Sequence, residues 1–131
     1  MSNPIEFIDP PAGGGRAFSR ATRAGGLLYV SGSSAPHDPA QGVIRGETAA
    51  QQVREALQFV GRVLEQAGSG LDRVVHVTML ITDPAEYVAC NAEYVKHFPG
   101  GLPARHTARF GVPTEAKVAF GCVALEGRHG S

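Results

Sequence analysis

Between residues 48 and 67 the apolar side chains follow a pattern that fits one kind of secondary structure. Val53, Leu57, Val60 and Leu64 recur at spacings of four, three and four, which lines them along one face of an α-helix. Thr48 followed by Gln51 predicts a capping box at its start, each side chain satisfying a backbone N–H of the other residue. Gly68 and Gly70, just after Ala67, supply left-handed backbone for its end. Such a helix would be about 30 Å long. It has one apolar stripe to bury, and the surface that buries it must come from segments with a different period.

Those segments read as strands. Leu27-Leu28-Tyr29-Val30 is a short apolar run bounded by Gly25-Gly26 and Gly32. Residues 74–81 are β-branched and apolar around Thr78, which predicts a central strand. Two more strands are expected near 105–110 and 117–125, divided by a turn at Val112-Pro113-Thr114-Glu115. Asp83-Pro84-Ala85-Glu86 predicts a second helix start, with Asp as cap and Pro in the first turn. Tyr87, Asn91, Tyr94 and Phe98 share a face of that helix, which ends before Pro99-Gly100-Gly101. Residues 33–42 read as a loop, and residues 1–15 and 127–131 as loop-like or frayed ends. The order predicts an α+β fold with both helices packed on one face of a sheet. The opposite face then needs cover, which self-association would supply economically.

At 131 residues, one domain over 1–131 is expected. The 12 basic and 12 acidic residues cancel, so the chain carries no electrostatic footprint for nucleic acid or an anionic membrane. Cys90 and Cys122 form no C-x-x-C pair and have no zinc spacing around them, so two buried, reduced thiols are expected. The histidines (His37, His76, His97, His106 and His129) are scattered, and no metal site is expected. His76, within the predicted core strand, is expected to be a satisfied structural histidine rather than a ligand. The amino-terminal residues lack a basic n-region and an apolar h-region, and no apolar run approaches the ~18–20 residues that span a bilayer. The cytoplasm is the expected compartment. No P-loop, G-x-G-x-x-G, H-E-x-x-H or G-x-S-x-G motif is present.

One segment carries candidate chemistry. Pro103 sets an extended entry to Ala104-Arg105-His106-Thr107-Ala108-Arg109. Alternation puts Arg105, Thr107 and Arg109 on one face and His106 and Ala108 on the other. A guanidinium offers a planar fork that matches a carboxylate or phosphate and keeps its charge near neutral pH. The residues alone leave open whether the two arginines bind an anion, are solvated, or form ion pairs between subunits.

Several elements occur together in a known order: Phe18-Ser19-Arg20-Ala21, Val30-Ser31-Gly32, Glu65-Gln66-Ala67-Gly68, Thr82-Asp83, Asn91-Ala92-Glu93-Tyr94 and Pro103-Ala104-Arg105. From about residue 16 to 125 the sequence resembles the RidA/YjgF family of reactive intermediate deaminases. The resemblance implies a chorismate-mutase-like fold, a homotrimer, and ligand clefts between subunits. It also implies cofactor-free, metal-free hydrolysis of small enamines or imines to a keto acid and ammonia. Arg105 matches the family arginine that grips the substrate carboxylate, Ser31 matches a pocket serine, and Thr107 sits where a backbone N–H helps to hold the carboxylate.

The sequence departs from that pattern at several positions. Phe18 stands where the family usually has tyrosine. Ala119 occupies the place of the family's last-strand glutamate, Gly121 fills the next position on that face, and Arg109 stands where an acidic residue is usual. The lost carboxylate implies weak or absent standard deaminase activity. The small residues Ala119 and Gly121, which would enlarge the pocket, together with Arg109 imply a bulkier or more anionic substrate. These departures also support an alternative, a non-catalytic trimer that binds small carboxylates. Endoribonuclease activity, attached to some relatives, fits poorly with the neutral charge. His106 and Cys122 are expected to point away from the pocket, and Glu115 is a candidate replacement acid.

Overall fold

The computed structural model describes residues 4–13, 15–38, 40 and 42–127. Residues 1–3 and 128–131, with His129, lie outside them. The sequential elements are β1 (Glu6–Ile8), β2 (Ala21–Ala24), β3 (Leu27–Ser33), α1 (Ala49–Gln66), β4 (Val74–Ile81), α2 (Tyr87–Tyr94), β5 (Ala104–Arg109) and β6 (Val118–Leu125). The six strands form one sheet in the order β1-β2-β3-β6-β4-β5. All neighbours are antiparallel except β4 and β5, which run parallel and are connected through α2. This is the mixed α+β sheet with two helices expected from the element order.

α1 forms as its caps predict. Thr48 accepts a hydrogen bond from the Gln51 backbone N–H at 3.1 Å, and Gln51 Oε1 accepts from Thr48 N–H at 3.1 Å. Gly68 stops it with φ of 85°, a conformation glycine adopts without strain. Gly70 is not part of that stop, since its φ of 177° is ordinary extended backbone. Val53, Leu57, Val60 and Leu64 are buried, and they pack over Leu28 and Val30 of β3 and the inward residues of β4 and β6. Burying side chains of this size contributes about 1.5–3 kcal/mol each relative to exposure. Gln52, also buried, makes a polar tie that the apolar pattern does not announce. Its Nε2 donates to Gly46 O at 3.1 Å and its Oε1 accepts from Lys117 N–H at 2.8 Å, joining the loops that precede α1 and β6.

Two expectations are corrected. β1 lies within residues 1–15, read from sequence as loop-like, and pairs with β2 at the sheet edge. At three residues, with mostly exposed side chains, it is too short to display a period. The second helix is also not continuous. Asp83 caps it through Ala85 N–H at 2.9 Å as expected, but 3₁₀ turns at Pro84–Glu86 and Val95–His97 flank α2.

Strand alternation assigns the two sheet faces. Val77, Met79 and Ile81 of β4, with Val118, Phe120, Cys122 and Ala124 of β6, are buried under the helices. Phe120 meets Tyr94 with ring centroids 5.8 Å apart. Tyr29, His76, Thr78, Leu80, Gly121 and Val123 border a hollow of about 350 Å³ on the face that no helix covers. Tyr29 is 43% exposed and Leu125 38%, so this open face presents apolar surface.

Candidate functional site

The register of β5 on β4 decides where the arginines go. Arg105 pairs with Val77, Thr107 with Met79 and Arg109 with Ile81, so all three point to the helix-bearing side, at the sheet edge beside α2. The shared face expected from alternation is therefore present. Arg105 and Arg109 lie four residues apart, about 13 Å along an extended strand.

Arg105 is half-buried against α2. Its Nη2 donates to the Tyr87 hydroxyl at 3.1 Å, and its guanidinium carbon lies 4.7 Å from the Tyr94 ring centroid and 5.7 Å from that of Tyr87. This is cation–π geometry on two rings. No carboxylate pairs with Arg105 among the described residues. Of its five N–H donors, one is engaged by the Tyr87 hydroxyl. Next to it, Ile81, Pro84, Tyr87, Thr107, Ala108 and Arg109 line a hollow of about 400 Å³. The fork is held by stacking, and a cavity adjoins it.

The surroundings are polar and incompletely satisfied. Asn91 Oδ1 and Tyr94 Oη are buried without a hydrogen-bond partner among the described residues. The Tyr87 phenol is held below its ordinary range by the neighbouring Asn91 amide and then by the Arg105 charge. Burial pushes the Tyr94 phenol up, with Arg105 acting against that shift. Tyr87, Asn91 and Tyr94 are thus the residues that the motif reading left without a role in the site. Their helical spacing, just ahead of the Pro-Ala-Arg element, was the available signal.

The remaining expected site residues lie elsewhere. Ser31 and Phe18 border a shallow hollow of about 280 Å³ with Phe7, Ser19 and Tyr29. The Ser31 hydroxyl donates to Ser19 O at 2.7 Å, so its proton is already engaged. Gly121 belongs to the open face, opposite to Arg105, and Ala119 alternates with it on that side. Within one chain these residues do not share a pocket with Arg105. Nor does their small size simply enlarge a cavity. A Cβ on Gly121 would sit 3.1 Å from Val30 O, where the β3 backbone approaches closely, and Ala119 is only 5% exposed. His76 lies in the central strand as expected, half-buried on the open face, with Nε2 3.1 Å from Nδ1 of His106. His106 points away from Arg105 as expected. Glu115 is exposed on the loop between β5 and β6.

Both cysteines are buried and free as expected. Burial raises the Cys90 thiol and pushes Cys122 up to about 12. No cluster of three or more metal-ligating side chains occurs among the described residues. No helix there is long and apolar enough to cross a membrane.

A mixed six-stranded sheet, backed on one side by two helices and carrying an arginine stacked at its edge, defines a small α+β protein. Known proteins share this fold. The family model described as Endoribonuclease L-PSP matches residues 11–124. A curated relative, Protein mmf2, mitochondrial, from Schizosaccharomyces pombe, is 32% identical over 116 residues, covering 86% of this chain and 90% of its own. Its name gives a compartment other than the cytoplasm expected here. Among solved structures, a Yersinia pestis protein of the conserved Rid family has 30% identity and a TM-score of 0.79, covering 93% of this chain and 99% of its own. A YjgF-family protein from Neisseria meningitidis has 25% identity and a TM-score of 0.79, covering 94% and 95%. The chain belongs to the YjgF/RidA (L-PSP) family.

Proposed function

We propose that this protein is a cofactor-free hydrolytic deaminase. It converts a small carboxylate-bearing enamine or imine to a keto acid and ammonia, with Arg105 gripping the carboxylate. The observation that carries this reading is the state of Arg105, which is stacked on Tyr94, hydrogen-bonded to Tyr87, free of any described carboxylate partner and adjacent to a hollow. A charged fork held in this way is already oriented for a planar anion, and positioning alone can account for much of the catalysis of a reactive imine. Thr107 and Arg109 line the same hollow, and Arg109 favours a second negative group on the substrate.

The protein acts as a homotrimer in this reading. Arg105 and Gly121 lie on opposite faces of one sheet, so a ligand touching both must lie between two copies. The apolar open face, with Tyr29 and Leu125, supports burial against a neighbour. Ser31, Phe18, Ala119 and Gly121 then belong to the wall that a second subunit presents. Nucleic acid, metal and organic cofactor have no part in the reaction proposed.

The test is ammonia and keto-acid release from freshly generated imino acids, run beside native mass spectrometry. Turnover by a three-subunit species, lost in Arg105→Ala, is the expected result. Saturable keto-acid binding without turnover would support the second reading, a carboxylate-binding trimer, which the lack of a carboxylate at Ala119 and Gly121 favours. A monomer that neither binds nor turns over would overturn both.

A further inference from the structure

We propose that His76, held by His106, is the proton-transferring group of this hydrolysis. The inference rests on the proposed deaminase reading and identifies a catalytic residue that the reading leaves open.

Addition of water to an imine carbon needs a group to take the water's proton, and departure of nitrogen as ammonia needs a proton returned. The open-face hollow beside Gly121 is lined by Tyr29, Val30, Gly32, His76, Thr78, Leu80, Gly121, Cys122 and Val123, with no carboxylate among them. Three of these point polar side chains to this face, since Cys122 turns its thiol to the opposite, helix-covered side. Thr78 and Tyr29 offer hydroxyls. His76 is the imidazole, the side chain most often used to move protons in catalysis.

Geometry adds a second argument. Nε2 of His76 and Nδ1 of His106 are 3.1 Å apart, with the rings tilted by 61° and centroids separated by 4.8 Å. Parallel pairing of β4 and β5 sets this contact, since Thr78 pairs with His106 and His76 with Ala104. A hydrogen bond between two imidazoles requires one donor and one acceptor. With the proton on Nε2 of His76, its Nδ1 is left bare as the accepting atom. When Nδ1 takes a proton, the resulting charge is stabilised through the hydrogen bond to neutral His106. No other hydrogen bond engages either ring among the described residues. His106 is thereby a positioning residue that holds the His76 ring through this hydrogen bond.

The steps balance. Water oxygen bonds to the imine carbon as the C=N π pair moves to nitrogen and His76 takes the water's proton. The imidazolium then protonates that nitrogen to an amine. The hydroxyl proton passes through His76 to the amine as the C–N bond breaks, so that ammonia leaves and the keto acid remains. Tyr29 on β3 and His106 on β5 are the titratable groups on this face with His76, and neither is a carboxylate.

The experiment is the pH–rate profile of the full chain on imino acids from pH 5 to 8.5. We expect kcat to rise with pH through the imidazole range and then level. His76→Gln should lower kcat by about 10²-fold with little change in KM, and it should remove that limb. His106→Asn should give a smaller loss and move the limb, and added imidazole should partly restore His76→Ala. A flat wild-type profile would overturn the proposal without any variant, as would a folded His76→Gln with unchanged kcat and limb. If wild type shows no turnover although keto acid binds through Arg105, the deaminase reading itself has failed and this inference falls with it. Turnover that ignores His76 sinks only the inference.

Discussion

Replacing Arg105 by lysine keeps a positive charge at the groove and removes the fork. In the native site Nη2 donates to Tyr87 at 3.1 Å while the guanidinium lies 4.7 Å from the Tyr94 ring centroid. An ammonium group cannot stack flat on Tyr94, reach Tyr87 and present two parallel donors to a carboxylate at once. The lost charge-assisted hydrogen bond is worth about 1.5–3 kcal/mol. The half-exposed setting favours the lower end of that range, and lost cation–π support adds roughly 0.5 kcal/mol. A total near 2 kcal/mol corresponds to about 30-fold weaker binding. Calorimetric titration with 2-oxobutanoate, a stable keto acid, reads this directly, with thermal melts as control. Because Arg105 makes no ion pair within the described residues, the variant should melt close to wild type. Equal affinity in Arg105→Lys would refute the fork argument. A large loss of stability would show that Arg105 serves the fold instead.

Three further outcomes follow from other parts of the molecule. Gly121→Ala should destabilise by about 1–3 kcal/mol, because its Cβ would meet Val30 O at 3.1 Å in the middle of the sheet; an unchanged denaturation midpoint would contradict this. The two thiols should resist a thiol-specific reagent at pH 8 until the protein unfolds, since burial raises both, Cys122 to about 12; rapid native labelling would contradict it. Burial alone would raise the Glu93 carboxyl, but hydrogen bonds from His97 and Lys96 outweigh it and hold the group below its ordinary range. Its stabilising contribution is therefore fully present above the unfolded glutamate value of about 4.3 and lost as pH falls through the lower folded value. The stability advantage of wild type over Glu93→Gln should shrink in that acid window, and a constant gap from pH 6 to 3 would sink the assignment.

The sequence by itself determined α1, its capping box, the central strand and the common face of Arg105, Thr107 and Arg109. Each of these follows from local rules, either a period of 3.6 or 2 or a side chain bonding to its own neighbourhood. Only the tertiary structure decided what those faces look at. The β5–β4 register turned Arg105 toward Tyr87 and Tyr94, and the β6–β4 register put Gly121 on the other side of the sheet. The β5–β4 pairing also brought His76 to His106, 30 residues away, as a pair that no spacing in the chain encodes. Periodicity says which residues share a side, whereas the partner on that side is set by strand pairing between distant segments.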